Sequence, residues 1–501
     1  MHLGNILKLL FNSPEYIFVF LPLVALGYFL LNKLGHVQLA KISLVGASLF
    51  FYGYWNPYYL ILIIISIAVN FRIGVLLHRA KLESWRAPIS AKCILTCGII
   101  FNLGLLAYYK YTDFFIDNIN VMLGLELPFL NLLLPLAISF FTFQQIAYLV
   151  DCYKFEVYEY DFLSYCLFVS FFPQLIAGPI VHHKEMMPQF FDVKNSSPNA
   201  GNIAKGILIF CIGLFKKVVI ADTFAVWADA GFDSDQALTF FESWAASLSY
   251  TFQLYYDFSG YTDMAIGAAL IFNIVLPINF NSPYKALSIQ DFWRRWHMTL
   301  SRWLKDYLYI PLGGNRKGTY RTYFNLVATF VLGGLWHGAG WTFILWGSLH
   351  GLALVTHRLW EGVGIKMPRY LAWACTFLFV NLTWVFFRAE TFSDALRILR
   401  GMAGLNGIVV SEGFVSMLAG ATGLTLALSS AAGDNLIVTK YMFLFIVVFG
   451  AIAFSFKNSM EITKDKTDFS LLDSLRVSGS LLLSLLLGIA STSSVFLYFN
   501  F

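Results

Sequence analysis

Of the chain's 501 residues, 58% are hydrophobic, 18% aromatic and only 13% charged, far from a soluble domain, in which roughly a quarter of residues carry charge. A mean hydropathy of +0.67 and recurrent apolar runs exclude a soluble catalytic domain and indicate a polytopic membrane protein. The net charge of +5 is read locally, as loop lysines and arginines that orient spans, and gives no reason to expect a nucleic-acid partner.

The first apolar run, Tyr16 to Leu31, lacks a preceding basic cluster and a small-residue cleavage site, so it reads as a retained span and not a signal peptide. Spans are predicted near 16–32, 40–54, 58–77, 93–110, 128–150, 162–180, 203–221, 244–274, 325–350, 370–388, 413–430, 441–456 and 477–497. This gives an all-α fold of about eleven or more membrane helices. No repeat, low-complexity tract or linker divides it, so a single domain over 1–501 is expected. The loop Arg72 to Lys92, with Arg79, Lys81 and Arg86 between, belongs on the cytoplasmic side and puts the N-terminus outside; the loop Lys33 to Lys41 agrees. Two segments make poor continuous helices: Phe172 to Ile180, with Pro173 and Pro179, and Pro311-Leu312-Gly313-Gly314-Asn315. Broken backbone at membrane depth is tolerated only inside protein or beside a wet cavity, so both are expected to line a central cavity.

A second basic region, Lys285 to Arg321, is also expected to be cytoplasmic, and within it the period is helical. Phe292, Trp293, Trp296, Leu300, Trp303, Leu304 and Tyr307 share one face, opposite Arg294, Arg295, Arg302 and Lys305, which predicts an interfacial amphipathic helix. Its basic face either lies on the anionic lipid of the inner leaflet or meets an anionic substrate such as a coenzyme phosphate.

An ionisable side chain at membrane depth is costly and is usually kept for chemistry or transport. That singles out His337, in Gly333-Gly334-Leu335-Trp336-His337-Gly338-Ala339-Gly340-Trp341, where glycines allow close approach and tryptophans form bulky walls. A histidine is suited to take a proton from a hydroxyl at neutral pH. His297, about forty residues earlier, sits equally well as an interfacial polar residue or as its partner. His350 and His357, seven apart, have no carboxylate at ligand spacing, and the six cysteines lack zinc or disulfide spacing, so no metal site is expected. His182 and His183 read as loop residues, and Asp257 and Asp263 as a buried structural network rather than an acid–base pair. Neither a Walker loop, a dinucleotide fingerprint nor a Gly-x-Ser-x-Gly elbow occurs in a fitting context, which argues against an ATP-driven pump and a serine hydrolase.

A set of long motifs is more specific: Tyr255-Tyr256-Asp257-Phe258-Ser259-Gly260-Tyr261-Thr262-Asp263-Met264-Ala265-Ile266-Gly267, Pro277-Ile278-Asn279-Phe280, Pro283-Tyr284, Phe292-Trp293-Arg294-Arg295-Trp296-His297, Pro311-Leu312-Gly313-Gly314 and Leu335-Trp336-His337-Gly338. With Gln174 to Ile180 these resemble the membrane-bound O-acyltransferase (MBOAT) family, closest to its alginate O-acetyltransferase branch. The resemblance implies a polytopic helical fold with re-entrant and interfacial helices around a central tunnel. His337 would hold the position of the catalytic histidine and His297 that of the second motif histidine. No permanently bound cofactor is implied. Acetyl-CoA is the expected donor substrate; on charge alone Arg294, Arg295 and Arg302 are assigned to its phosphates, and Trp336 is placed with them at its site. The implied setting is a bacterial inner membrane, crossed many times, in which the chain works with an extracytoplasmic acetyltransferase of SGNH type and a cell-envelope polysaccharide acceptor.

The last residues, Phe496-Leu497-Tyr498-Phe499-Asn500-Phe501, read Phe-x-Tyr-x-x-Phe. This is similar to a terminal motif of bacterial envelope-polymer transferases in which the tyrosine carries the acyl group; as pattern alone it is also an aromatic belt. Leaving-group pKa values climb from about 8.5 for a thiol through about 10 for a phenol to higher values for sugar alcohols, so thioester to Tyr498 ester to sugar ester runs downhill. The expectation is therefore an O-acetyltransferase, with a D-alanyl or lipid O-acyltransferase of the same family, or a proton-coupled transporter using His337 and Asp257 or Asp263, as alternatives.

Overall fold

The computed structural model describes residues 9–81, 89–155, 161–176, 178–408, 440–464, 466, 469–490 and 497, and among these there is no strand. The predicted span 413–430 and Tyr498 lie outside the described residues. In a first group of helices, α1 (Leu21–Lys33) packs on α2 (Val37–Trp55), α2 on α3 (Pro57–Lys81) and α5 (Thr112–Leu123) on α4 (Ala91–Lys110), while α3 and α4 pack against α6 (Ile138–Tyr153). Next come α7 (Phe162–Ser170), α8 (Phe172–Leu175), α9 (His183–Phe191), α10 (Ala200–Phe215) and α11 (Asp222–Phe232). They lead to α12 (Phe240–Ile271), whose residues are buried along nearly all of its length. The break between α7 and α8 falls where Pro173 denies the backbone a donor, as the sequence predicts.

Among the described residues, five helices are long and apolar enough to cross a membrane: Tyr16–Lys33, Pro57–Lys81, Ala91–Lys110, Arg369–Arg388 and Leu471–Gly488. Their outward faces are apolar, as at Ile61, Ile64 and Ile65 of α3, while their polar groups turn inward. Asn70 and Asn102 exchange amide hydrogen bonds between α3 and α4, and Gln145 of α6 donates to Ser66. In lipid this is the arrangement that leaves no polar side chain facing hydrocarbon.

Small residues set how closely the helices approach. Gly206 and Gly213 of α10 lie against Gly267 and Gly260 of α12, so tightly that a Cβ on Gly213 would sit 2.5 Å from the Gly260 carbonyl oxygen. At the end of α10 a π-helical stretch, Lys216–Ala221, widens the coil and leads into α11.

Two predicted elements differ. The expected single span 325–350 is a hairpin of α15 (Thr319–His337) and α16 (Trp341–Val363), preceded by the short α13 (Ile289–Trp293) and α14 (Met298–Leu304) and followed by α17 (Arg369–Arg388) and α18 (Phe392–Met402). Apolar residues on both sides of Gly338-Ala339-Gly340 hide the break from a hydropathy window. The expected amphipathic helix over 292–307 is interrupted at His297, whose φ of 42° is left-handed. Its aromatic residues Phe292, Trp293, Trp296 and Trp303 are buried in protein, so the face the periodicity assigns to lipid packs against other helices.

Candidate active site

His337 is the last residue of α15 and His297 the residue before α14, and their ring centroids lie 6.4 Å apart. Both are buried, at 3% and 0% exposure, in an aromatic shell. Trp346 and Phe387 pack edge-on to His337 at 5.2 and 5.3 Å, and Phe258 packs edge-on to His297 at 4.8 Å. Trp336 stacks on Phe143, which stacks on Trp303, closing one side.

The proton on His297 is placed by its neighbour. Asn279 Oδ1 accepts from the Thr299 backbone N–H at 3.2 Å and from the Thr299 hydroxyl at 2.8 Å, which assigns that atom as oxygen. His297 Nδ1, 3.2 Å away, must then be the N–H that donates to it, which leaves the lone pair on Nε2. His350 is different: Trp293 Nε1 donates to its Nδ1 at 3.1 Å, and its Nε2–H is 3.0 Å from the Thr383 hydroxyl, so both ring nitrogens are committed. His350 braces the aromatic shell.

One cavity borders the loop after His337, and a second borders Arg302 of α14. The larger, about 990 Å³, is bordered by Gly338 to Gly340, Phe343, Phe387, Lys110, Lys217, Asp257 and Leu497. The smaller, about 370 Å³, is bordered by Asp151, Lys154, His182, Lys184, Arg302 and Tyr307. They sit at opposite ends of α6: Ser139 at its start meets Lys110, and Tyr153 at its end accepts from Lys81 at 2.5 Å. The 14 helical steps between Ser139 and Tyr153 separate those points by about 21 Å.

The structure brings His337, His297 and Trp336 together. The arginines are dispersed. Arg294 is exposed, Arg295 pairs with Asp291 at 2.8 Å, and Arg302 makes a two-pronged contact with Glu185 at 2.7 and 2.9 Å beside the smaller cavity. His182 and His183 are buried and not loop-exposed; His182 Nδ1 lies 3.0 Å from the Tyr307 hydroxyl, which donates to Asp151 at 2.8 Å. Burial, then the Arg302 charge, holds the His182 imidazole down at about 4. Asp257 and Asp263 form ion pairs with Lys217 and Lys216, each at 2.7 Å, and Lys217 also reaches Asp222 at 2.6 Å. Asn279, Trp346 and Phe387 were not singled out by sequence; of these Asn279 stands in a quoted motif, Pro277 to Phe280, and its link to His297 is visible only once the chain is folded.

Chemically, the pair offers an imidazole suited to act as a base toward a hydroxyl and a second imidazole with a fixed tautomer, both buried in an aromatic shell. The family model described as the membrane-bound O-acyltransferase family matches residues 151–392, which contain both histidines. A peptidoglycan O-acetyltransferase of Helicobacter pylori is 49% identical, over 99% of this chain and 98% of that one. A protein named probable alginate O-acetylase AlgI of Azotobacter vinelandii is 40% identical over 81% of this chain and 80% of its own length. A teichoic acid D-alanyltransferase of Streptococcus thermophilus is 26% identical over 46% of this chain and 58% of its own.

Proposed function

The chain belongs to the membrane-bound O-acyltransferase family, and from that premise we propose that it takes acetyl groups from cytoplasmic acetyl-CoA and delivers them across a bacterial inner membrane to a cell-wall glycan. That it is an acyltransferase follows from the family; the donor, the route and the acceptor are the proposal. Similarity along the whole chain to a peptidoglycan O-acetyltransferase favours peptidoglycan over alginate as acceptor.

The observation that carries the mechanism is that the loop directly after His337, Gly338 to Gly340, borders the larger cavity. Acetyl-CoA presents its thioester from the end of the smaller cavity, whose lining sets Lys154, Lys184 and Arg302 beside Asp151, Glu185 and Asp306. His337 removes the proton from the attacking hydroxyl and passes it to the departing sulfur, and His297, whose ring N–H is held by Asn279, lines the donor side and orients the thioester. The hydroxyl oxygen bonds to the acetyl carbon, the carbon–sulfur bond breaks and coenzyme A leaves as its thiol.

The attacking hydroxyl is that of Tyr498. Leu497, its neighbour, borders the larger cavity and donates its backbone N–H to Asp257 at 3.1 Å, which supports a C-terminal tail that reaches that cavity from the far side. An extracytoplasmic SGNH-type partner then moves the acetyl group from tyrosine to the glycan.

Inverted membrane vesicles supplied with labelled acetyl-CoA test this. His337→Ala should lower transfer by about 10²- to 10⁴-fold, the usual contribution of a positioned base. Undiminished turnover removes His337 from the chemistry. Mass spectrometry of the C-terminal peptide should find an acetylated Tyr498, and a Tyr498→Phe chain that still acetylates glycan fully eliminates the relay.

A further inference from the structure

The helix that bears His337 ends in an unusual way. The last four carbonyls of an α-helix have no partner within it. In α15 the first of these, Gly334, accepts from the Gly338 backbone N–H at 3.3 Å, and the next three are satisfied from outside. Tyr111 donates its hydroxyl to the Leu335 carbonyl at 2.8 Å; Lys110 donates its ammonium to the Trp336 carbonyl at 2.6 Å and to the His337 carbonyl at 3.1 Å. Two consecutive residues of another segment, more than 220 positions earlier, thus hold three consecutive carbonyls of the turn that ends on His337.

We propose that Lys110 and Tyr111 are positioning residues for His337, a cap supplied by a second helix that fixes the last turn of α15 and with it the imidazole. The ammonium is spent on carbonyls and on Ser139 Oγ at 3.3 Å, and among the described residues no ion pair engages it. A cation at a helix C-terminus is also stabilised by the axial dipole, which strengthens the clamp where the dielectric is low. Without it the final turn is followed by Gly338 and Gly340, which offer little resistance to fraying. Serine, through Ser139, ties the same ammonium to the start of α6, so the clamp joins three helices at the wall of the larger cavity.

This inference rests on His337 being the base, and the experiment separates the two. In inverted vesicles with labelled acetyl-CoA, rates are normalised to folded protein, and kcat and KM for acetyl-CoA are measured for Lys110→Met, Lys110→Arg, Tyr111→Phe and His337→Ala. A positioning role predicts that Lys110→Met loses about 10- to 100-fold in kcat, the scale of a misplaced catalytic group, with KM unchanged. Lys110→Arg, which keeps charge and donors, recovers most of that loss. Tyr111→Phe, which deletes one oxygen, gives a smaller fall in kcat alone and decides the matter if Lys110→Met does not fold. Wild-type kcat per folded molecule in Lys110→Met or, failing that, in Tyr111→Phe overturns the proposal while an inactive His337→Ala leaves the catalytic reading in place. An active His337→Ala overturns both.

Discussion

Two walls of packed helices that reach the larger cavity differ in character. One, α15 to α17, carries His337, Trp346, Thr383 and Phe387 in ring contacts and neutral hydrogen bonds, as between Thr383 and His350, and meets the cavity at Phe387. The other, α10 to α12, carries Lys216, Lys217, Asp222, Asp257 and Asp263, all in short ion pairs, and meets the cavity at Lys217, Asp222 and Asp257. The difference assigns each wall its work. A base that must gain and lose a proton is best kept from fixed carboxylates, which would hold the imidazolium; paired charges hold an element in place because breaking them is expensive.

The largest effect expected from this contrast is on stability at the ionic wall. Lys217→Met leaves Asp222 and Asp257 without their shared cation, and loss of one partner from a buried pair costs about 3–5 kcal/mol. Thermal melting in detergent should show a large drop in midpoint; a small one would mean that these charges are not what holds α11 and α12 together. At the histidine pair the expected cost is smaller and appears in rate. Asn279→Ala removes the acceptor that fixes the His297 tautomer, leaving a buried donor unpaired at about 1–3 kcal/mol, or roughly 5- to 150-fold in turnover if it falls on the transition state. Turnover within twofold of wild type would detach His297 from the chemistry. On the aromatic wall Thr383→Val deletes one neutral partner of His350 and should cost about 1–3 kcal/mol in stability with turnover retained. A loss matching that of Lys217→Met would erase the contrast between the walls.

The smallest effect tests whether neutrality matters at the other cavity. Burial holds His182 and His183 down at about 4, below the ordinary imidazole value of about 6.5. The unfolded chain therefore takes up protons first. Stability should be flat above pH 6.5 and fall as pH drops from 6.5 towards 4, and His182→Gln should flatten that fall. A melting midpoint independent of pH in that window would show that these imidazoles are not buried in their neutral form.

Much of this was legible in the chain because the signals are local. Pro173 sits in the first turn of α8 just after the break at Phe171, and the motif histidines stand among residues whose identities carry the family likeness. The wheel over 292–307 sorted buried from exposed residues correctly, yet it could not see the left-handed backbone at His297, nor that the partner of the aromatic face is protein. Hydropathy merged α15 and α16 because both are apolar. Pairings across distance stayed invisible: Arg302 meets Glu185 across 117 positions and Lys110 meets Trp336 across 226. A run of basic residues on one face says nothing about which of them already have acids waiting in another loop.

The π-helical stretch Lys216–Ala221 carries an implication for how this chain tolerates change in length. Such a stretch behaves as one surplus residue accommodated in an α-helix, and each residue of α-helix advances the phase by about 100°. Deleting a single residue there would leave a smooth helix and a shorter chain, with every hydropathy plot unchanged. It would also turn α11 by roughly a quarter of a revolution relative to α10, carrying Asp222 away from Lys217 while α12 stays in register with the glycines of α10. Alignment gaps at this point are therefore not interchangeable with gaps in loops: one missing letter here is a rotation.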